Sequence, residues 1–357
     1  MNILISSPSL DPTKNVSGIS TVTISIIKYN KEHRYYHYLL GRPDKKTNNL
    51  LWGIMLIKQF LLFPFFIKKN KIKIAHQNLP LNAKGILREF VINCWCCLLR
   101  IPIVLQIHGG SFIADGTSNF IYKKLVQFIF QNSKQVIVLS EVEKTLLEEK
   151  FGYIKAIVLP NCIDTSIFKS DKKIQNYNKL NLLFLGRIEK NKGIYELIEA
   201  LKKLKNEFDF SFLLCGTGPL LEHCIEAFDK ILGKNFEYKG VVFGESKNNI
   251  IKKSDLFILP SYFEGMPLAL LETMAAGVVP IVTSVGSMRD IIKHGVNGLQ
   301  VEAQNSNDLY VKLKYILLNL NEYQKLSINA QSTIKENYDI ENYIEKLNKI
   351  YKRLENV

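Results

Sequence analysis

The chain has 357 residues, 47% of them apolar, which is enough for two globular cores and excludes a disordered chain. Its net charge of +14 lies almost wholly in the first half: 22 Lys and Arg stand against 10 Asp and Glu in residues 1–170, but 25 against 23 in 171–357. Basic patches attract phosphates, yet here the charge brackets apolar segments, not stacking aromatics, and no nucleic-acid module appears, so no nucleic-acid partner is expected.

The opening MNILISSPSL has no charged leader and too short an apolar run for a signal peptide. It reads as a buried first strand of a cytoplasmic protein. The segment VSGISTVTISIIKYN reads as a Gly turn entering a helix, and YYHYLL as a strand. Leu50–Ile67 is apolar almost all round but holds Lys58, Gln59 and Pro64 and falls short of a comfortable span. It reads either as a buried crossover helix or as one that also dips into a membrane surface. IKIAHQNL, IPIVLQIHGG, KQVIVLS and AIVLPN read as further strands, with helices at Asn119–Gln131 and Glu141–Lys150. Cys94 and Cys97 have C-x-x-C spacing, but late in a helical stretch, so a buried structural role is expected over redox chemistry.

The polar stretch 169–179 reads as a linker between a first domain, 1–168, and a second, 180–357. The alternation then restarts: NLLFLGR (strand), GIYELIEALKKLK (helix), SFLLCG (strand), a helix from Pro219, FEYKGVV (strand), KNNIIKKS (helix), LFILPS (strand), PLALLETMAAG (helix) and VPIVTS (strand). Two helical stretches close the chain, the last at 340–354 and able to cross back to the first domain. The expected fold is α/β, two Rossmann-like domains facing across a cleft, with ligands at the carboxyl ends of the strands.

Several residues stand where chemistry would occur. Arg187 and Lys192 follow a strand and precede a helix, a favourable place for a diphosphate. Gly216 and Gly218 in CGTGP would let backbone approach a ligand, as would Gly18 at the first βα turn. His108 ends a strand beside two glycines. In EGMPLALLE, Pro267 starts a helix, Glu264 stands in the loop before it, and Glu272 stands among apolar neighbours just over a turn later. The backbone from Gly265 through Met266 and Pro267 to Leu268 forms a helix start that favours an anion, with a carboxylate on either side.

The motifs SGIS, HGG, VLPNCID, LGRIEKNKG, CGTGP, PSYFEGMPLALLETMAAGVVPIVTS and HGVNG, in this order, resemble the retaining GT-B-fold glycosyltransferases of family four, most strongly over Asn181–Val301. The resemblance implies transfer of a sugar from a nucleotide-diphosphate sugar, a UDP-sugar by expectation, with no cofactor; the sequence offers no convincing metal-carboxylate pair, so metal-independent activity is expected. It implies that Arg187 and Lys192 hold the diphosphate, Glu272 the ribose hydroxyls, and Glu264 with the backbone of 265–268 the donor sugar and phosphate. It further implies that His108 meets the sugar near the reacting carbon, Gly18 approaches the diphosphate, and Val242 holds the base by its backbone. Cys162 and Ser287 replace common glycines of the pattern. The acceptor is expected to be a glycan, or a lipid-linked glycan of bacterial surface polysaccharide assembly (O-antigen or capsule), met at an anionic membrane through the basic first domain. The alternative is a nucleotide-sugar epimerase of the same architecture.

Overall fold

A computed structural model describes residues 1–41, 49–114, 116–117, 119–152, 154–168 and 179–355. The chain divides into two compact units, Met1–Cys162 with Ile340–Val357, and Ile163–Asp339. Of the expected linker, 169–178 lie outside the described residues. Residues 163–168 group with the second unit, where Ile163 bridges Asp339 and the Thr165 hydroxyl donates to the Asp339 carboxylate.

The first unit runs β1 (Asn2–Ser7), α1 (Gly18–Tyr29), β2 (Arg34–Leu39), α2 (Asn49–Lys69), β3 (Ile74–Leu79), α3 (Ala83–Leu98), β4 (Ile103–Ile107), α4 (Ser111–Ala114), α5 (Phe120–Asn132), β5 (Gln135–Val138), α6 (Glu141–Phe151) and β6 (Ala156–Val158). Its strands form one parallel sheet in the order β2-β1-β3-β4-β5-β6. The near-continuous apolar runs of β1 and β4 follow from helices on both faces: Ile3, Leu4, Ile5, Val104, Leu105 and Ile107 are all buried. Helix starts are set by side-chain caps, Ser17 for α1, Asn82 for α3, Asn119 for α5 and Ser140 for α6.

One open reading is narrowed and one expectation corrected. α2 is a crossover helix, but only one face is buried. Phe63 and Ile67 pack inward, with Tyr38 of β2 edge-on to Phe63 and Phe66, while the opposite face is solvent-exposed. Of the C-x-x-C pair, Cys97 is exposed and Cys94 half-buried; Cys96 between them is the buried one, and burial raises all three thiols.

The second unit runs β7 (Leu180–Leu185), α7 (Ile194–Leu204), β8 (Phe210–Cys215), α8 (Leu221–Leu232), β9 (Phe236–Gly240), α9 (Gly244–Lys253), β10 (Leu256–Leu259), α10 (Leu268–Ala275), β11 (Val279–Thr283), α11 (Met288–Ile291), β12 (Leu299–Val301), α12 (Ser306–Leu318) and α13 (Leu320–Asn337). Its parallel sheet has the order β12-β11-β10-β7-β8-β9, so the strand order reverses between β7 and β10. The sequence pattern missed α4, α11 and the short β12. It also merged the closing helices: three follow β12, because Asn319 ends α12 and leads directly into α13.

The third of these, α14 (Ile340–Glu355), belongs to the first unit. Its inward face carries Tyr343, Leu347, Asn348 and Tyr351, all buried. The Tyr351 hydroxyl meets His76 Nδ1 at 2.6 Å, the Tyr343 hydroxyl meets Gln106 Oε1 at 3.0 Å, and Asn30 donates to Asn348 at 2.6 Å. A polar seam of this kind fixes one docking register, because a slipped helix would strand buried donors and acceptors.

Candidate active site

In the second unit the loops after β7 and β10 flank the point where the strand order reverses, the place where open α/β sheets bind ligands. Backbone contacts lock them together: Tyr262 N–H donates to Asn191 O at 2.8 Å, and the Tyr262 hydroxyl donates to Glu196 at 2.9 Å. Gly193, with φ 69°, allows this approach, since a Cβ there would lie 2.0 Å from the Pro260 carbonyl oxygen.

This contact brings Lys192 and Glu264 together, with Nζ–Oε1 at 2.6 Å; the Ser261 hydroxyl donates to the same oxygen at 2.7 Å. Glu264 is 9% exposed. A second pair lies one element away, where Lys247 of α9 donates to Glu272 of α10 at 2.6 Å, Glu272 being 8% exposed. Two partly buried carboxylates, each neutralised by one lysine, thus bracket the start of α10. Pro267 occupies the N-cap and no side chain caps that helix. The helices α7, α8 and α9 likewise start without a side-chain cap, unlike α1, α3, α5 and α6 of the first unit. Uncapped helix starts beside lysines at one sheet edge form a field that suits an anion.

The other expected residues are placed as follows. Met266 is buried, while Gly265, Pro267 and Leu268 are half-buried around the helix start. Val242 lies between β9 and α9, half-buried. Arg187 reaches outward, its side chain 75% exposed and 3.9 Å from Glu189, so Lys192 alone of the two cations is fixed in place. Gly216 (φ 132°) serves the packing of backbone on backbone, because a Cβ there would lie 1.8 Å from the Gly186 carbonyl oxygen. The Ser287 hydroxyl, standing where the family pattern has a glycine, donates to Gly265 O and ties the loop before α11 to the one before α10. Sequence reading missed Ser261 and Lys247. Ser261 stands three residues before Glu264 within ILPSYFEG, a findable signal, whereas Lys247 is 25 positions from its partner and gave none.

In the first unit His108 closes β4. Its Nε2 is 2.7 Å from Asn78 Oδ1, and the Asn78 amide donates to Ser6 O at 2.7 Å. That chain orients the Asn78 amide, so His108 carries its proton on Nε2 and keeps a lone pair on Nδ1. Burial lowers the imidazole to about 3, which keeps the ring neutral at pH 7. Gly18 is exposed at the first turn of α1, where Ser17 already accepts from Ser20 N–H. Glu143 of α6 is buried, accepts from Leu139 N–H at 2.6 Å, and is raised by burial to about 7. No group of three or more His, Cys, Asp or Glu able to hold a metal ion occurs among the described residues.

Comparison with known proteins bears on the family and the fold. Residues 28–167 match the family model "Glycosyltransferase Family 4", and residues 166–333 match "Glycosyl transferases group 1". An uncharacterized glycosyltransferase of Methanocaldococcus jannaschii is 29% identical over 334 residues, covering 87% of this chain and 83% of that one. The UDP-Gal:alpha-D-GlcNAc-diphosphoundecaprenol alpha-1,3-galactosyltransferase of Escherichia coli is 26% identical over 304 residues, covering 80% and 76%. Among solved structures, Anabaena Alr3699/HepE in complex with UDP and glucose superposes with a TM-score of 0.78 at 15% identity, covering 99% of this chain and all of that one, which shows the fold. Two Rossmann-like units of the GT-B fold and two matches that together span residues 28–333 lead to one conclusion: the chain belongs to the family 4 glycosyltransferases.

Proposed function

We propose that the chain moves a hexose from a UDP-sugar to a hydroxyl of a lipid-linked glycan, with retention at the anomeric carbon and without a metal. The observation that carries the donor reading is the pair of lysine-bound carboxylates, Lys192–Glu264 and Lys247–Glu272, flanking the uncapped start of α10. In this reading Glu272 accepts from the ribose hydroxyls, Glu264 orients the sugar, and Lys192 with the amides at the helix start receives the negative charge that grows on the leaving diphosphate. Arg187, exposed and held only by a 3.9 Å contact with Glu189, swings onto the diphosphate when donor binds. The bond between the anomeric carbon and the β-phosphate oxygen breaks, the acceptor oxygen bonds to the same face of that carbon, and the acceptor proton passes to the departing phosphate oxygen. Glu264 is therefore a positioning group and not a nucleophile. Neutral His108 serves as a hydrogen-bond acceptor for a sugar hydroxyl through Nδ1, Gly18 lies against the diphosphate, and Val242 holds the base.

The acceptor assignment is supported by the Escherichia coli relative, whose name gives a diphosphoundecaprenol-linked sugar as its acceptor, and by the basic first half of the chain. The proposal includes a role in surface polysaccharide assembly at the inner face of the plasma membrane, which the same two observations support. The test is a panel of nucleotide sugars incubated with and without a lipid-linked acceptor, the product read by NMR and repeated with EDTA. An α-linked product from an α-linked UDP-hexose, unaffected by EDTA, is expected. A β-linked product would contradict retention, loss of product in EDTA would contradict metal independence, and isomerised donor without acceptor would favour an epimerase.

A further inference from the structure

The outer face of α2 is the feature that the donor site does not explain. Leu50, Ile54, Ile57, Leu61 and Phe65 recur at helical spacing and are all exposed, Leu61 at 64% and Phe65 at 72%; Leu51, Met55 and Leu62 extend the stripe sideways. A surface helix of a water-soluble domain puts polar residues there. Here the inner face (Phe63, Ile67) is apolar as well, so α2 is apolar on both sides, and by length and composition it could cross a bilayer.

Threading the bilayer conflicts with the fold. The inner face of α2 is fixed to the sheet through Tyr38, Phe63 and Phe66, and the strands before and after it, β2 and β3, both pair with β1. A spanning α2 would draw that sheet into hydrocarbon, where its polar loops have no partners. Lying flat, with the outer stripe in the bilayer and the inner face on the sheet, satisfies both sides.

The charges choose the bilayer. α3 packs against both α2 and α5. Across these three helices Glu89 is the one acidic residue in the sequence, and it is buried against Arg88. Lys58, Lys68, Lys69, Lys84, Lys123 and Lys124 are exposed on them. In a parallel sheet with crossover helices, the starts of α2, α3 and α5 lie at the carboxyl edge of the strands, the edge that β4 ends on with His108. Exposed Leu50, Leu51, Leu87, Phe120 and Ile121 stand at those starts, with Lys84, Lys123 and Lys124 among them. Two copies of such a face would repel each other, whereas anionic headgroups would complement it.

We propose that α2, with the starts of α3 and α5, is a monotopic docking face for an anionic lipid bilayer, with the outer stripe of α2 inserted below the headgroups. This face lies wholly in the first unit and is independent of the donor reading; the proposed lipid-linked acceptor gives it a purpose.

The full chain is floated with phosphatidylcholine vesicles, and with the same vesicles containing phosphatidylglycerol, at low and high salt. Two variants are compared, Ile54→Gln/Ile57→Gln/Leu61→Gln and Lys123→Glu/Lys124→Glu. All five side chains are exposed, so the thermal midpoint should hold in both, and the charge variant keeps the test decisive if the apolar one fails to fold. Wild type should float with the anionic vesicles only and be released by salt, and each variant should lose roughly tenfold or more in partitioning. Transfer to a water-soluble acceptor should be unchanged in both, which separates failure of docking from failure of the donor site. Equal partitioning of both variants and wild type, or equal binding to neutral vesicles, would overturn the proposal. So would a dimer of the chain that the apolar variant dissociates without any vesicle binding, since the occupant would then be a second copy.

Discussion

Lys247 and Glu272 meet at 2.6 Å although α9 and α10, which carry them, are separated by β10. The pair holds a carboxylate at the start of α10 that is otherwise nearly closed to water. Replacing Lys247 by Met leaves that carboxylate partly buried without its counter-charge, at a cost of about 1–3 kcal/mol. The account predicts a thermal midpoint lowered by several degrees and a raised donor KM with kcat little changed, because a ribose contact is made equally in ground and transition states. A fall in kcat with KM unaltered would place Lys247 at the reacting centre.

Lys192 is expected to act differently. Lys192→Met should lower kcat by about 100-fold or more, the cost of removing one preorganised donor to developing charge. Arg187→Ala should also lower turnover, although its exposed side chain makes only a 3.9 Å contact with Glu189. Steady-state kinetics with a UDP-sugar decide the matter, and a near-wild-type rate for either variant sinks its diphosphate assignment.

The seam under α14 makes the first unit sensitive to acid. Burial lowers His76 to about 4 from its ordinary 6.5. The folded unit therefore binds this proton less readily than the unfolded chain, and its stability is full above about 6.5 and falls as pH drops towards 4. His76→Gln should flatten that part of the pH–stability curve while costing about 1–3 kcal/mol at neutral pH through the Tyr351 hydroxyl left unmatched. Denaturant melts across the pH range measure both, and an unchanged slope would remove His76 as the source.

Glu143 has the opposite sign. Its folded value, raised from 4.5 to about 7 by burial, means that the stability it contributes is full below 4.5 and is lost as pH rises through 7. Glu143→Gln keeps an acceptor for Leu139 N–H and should remove that loss, so the variant should be more stable than wild type above pH 7 and no more stable at pH 4.5. Melts at the two pH values check this.

Much of the fold was legible because parallel strands covered on both faces read as apolar β-branched runs, as Ile3–Ile5 and Val104–Ile107 do. The return of α14 to the first unit was legible as a separate last helix, but its polar contacts with His76 and Gln106 were not, since they join residues more than 200 positions apart. At the site, the sequence placed Glu264 and Glu272 on either side of a helix start. It did not show their partners, because Lys247 reaches Glu272 only through the sheet order. It also read Gly216 as an opening for ligand, where neighbouring backbone fills the space that a Cβ would take. Between the two readings of α2 the sequence could not choose, because an apolar helix looks the same in sequence whether its second face meets protein, lipid or water.

The central claim is that the two lysine-bound carboxylates beside α10 hold a nucleoside diphosphate. Isothermal titration of UDP into the wild-type chain, Glu272→Ala and Lys192→Ala tests it most directly. The account predicts saturable one-to-one binding to wild type, weakened by roughly tenfold or more in each variant, as the loss of one charge-assisted contact implies. Equal affinity in all three proteins, with the variants folded, would contradict it.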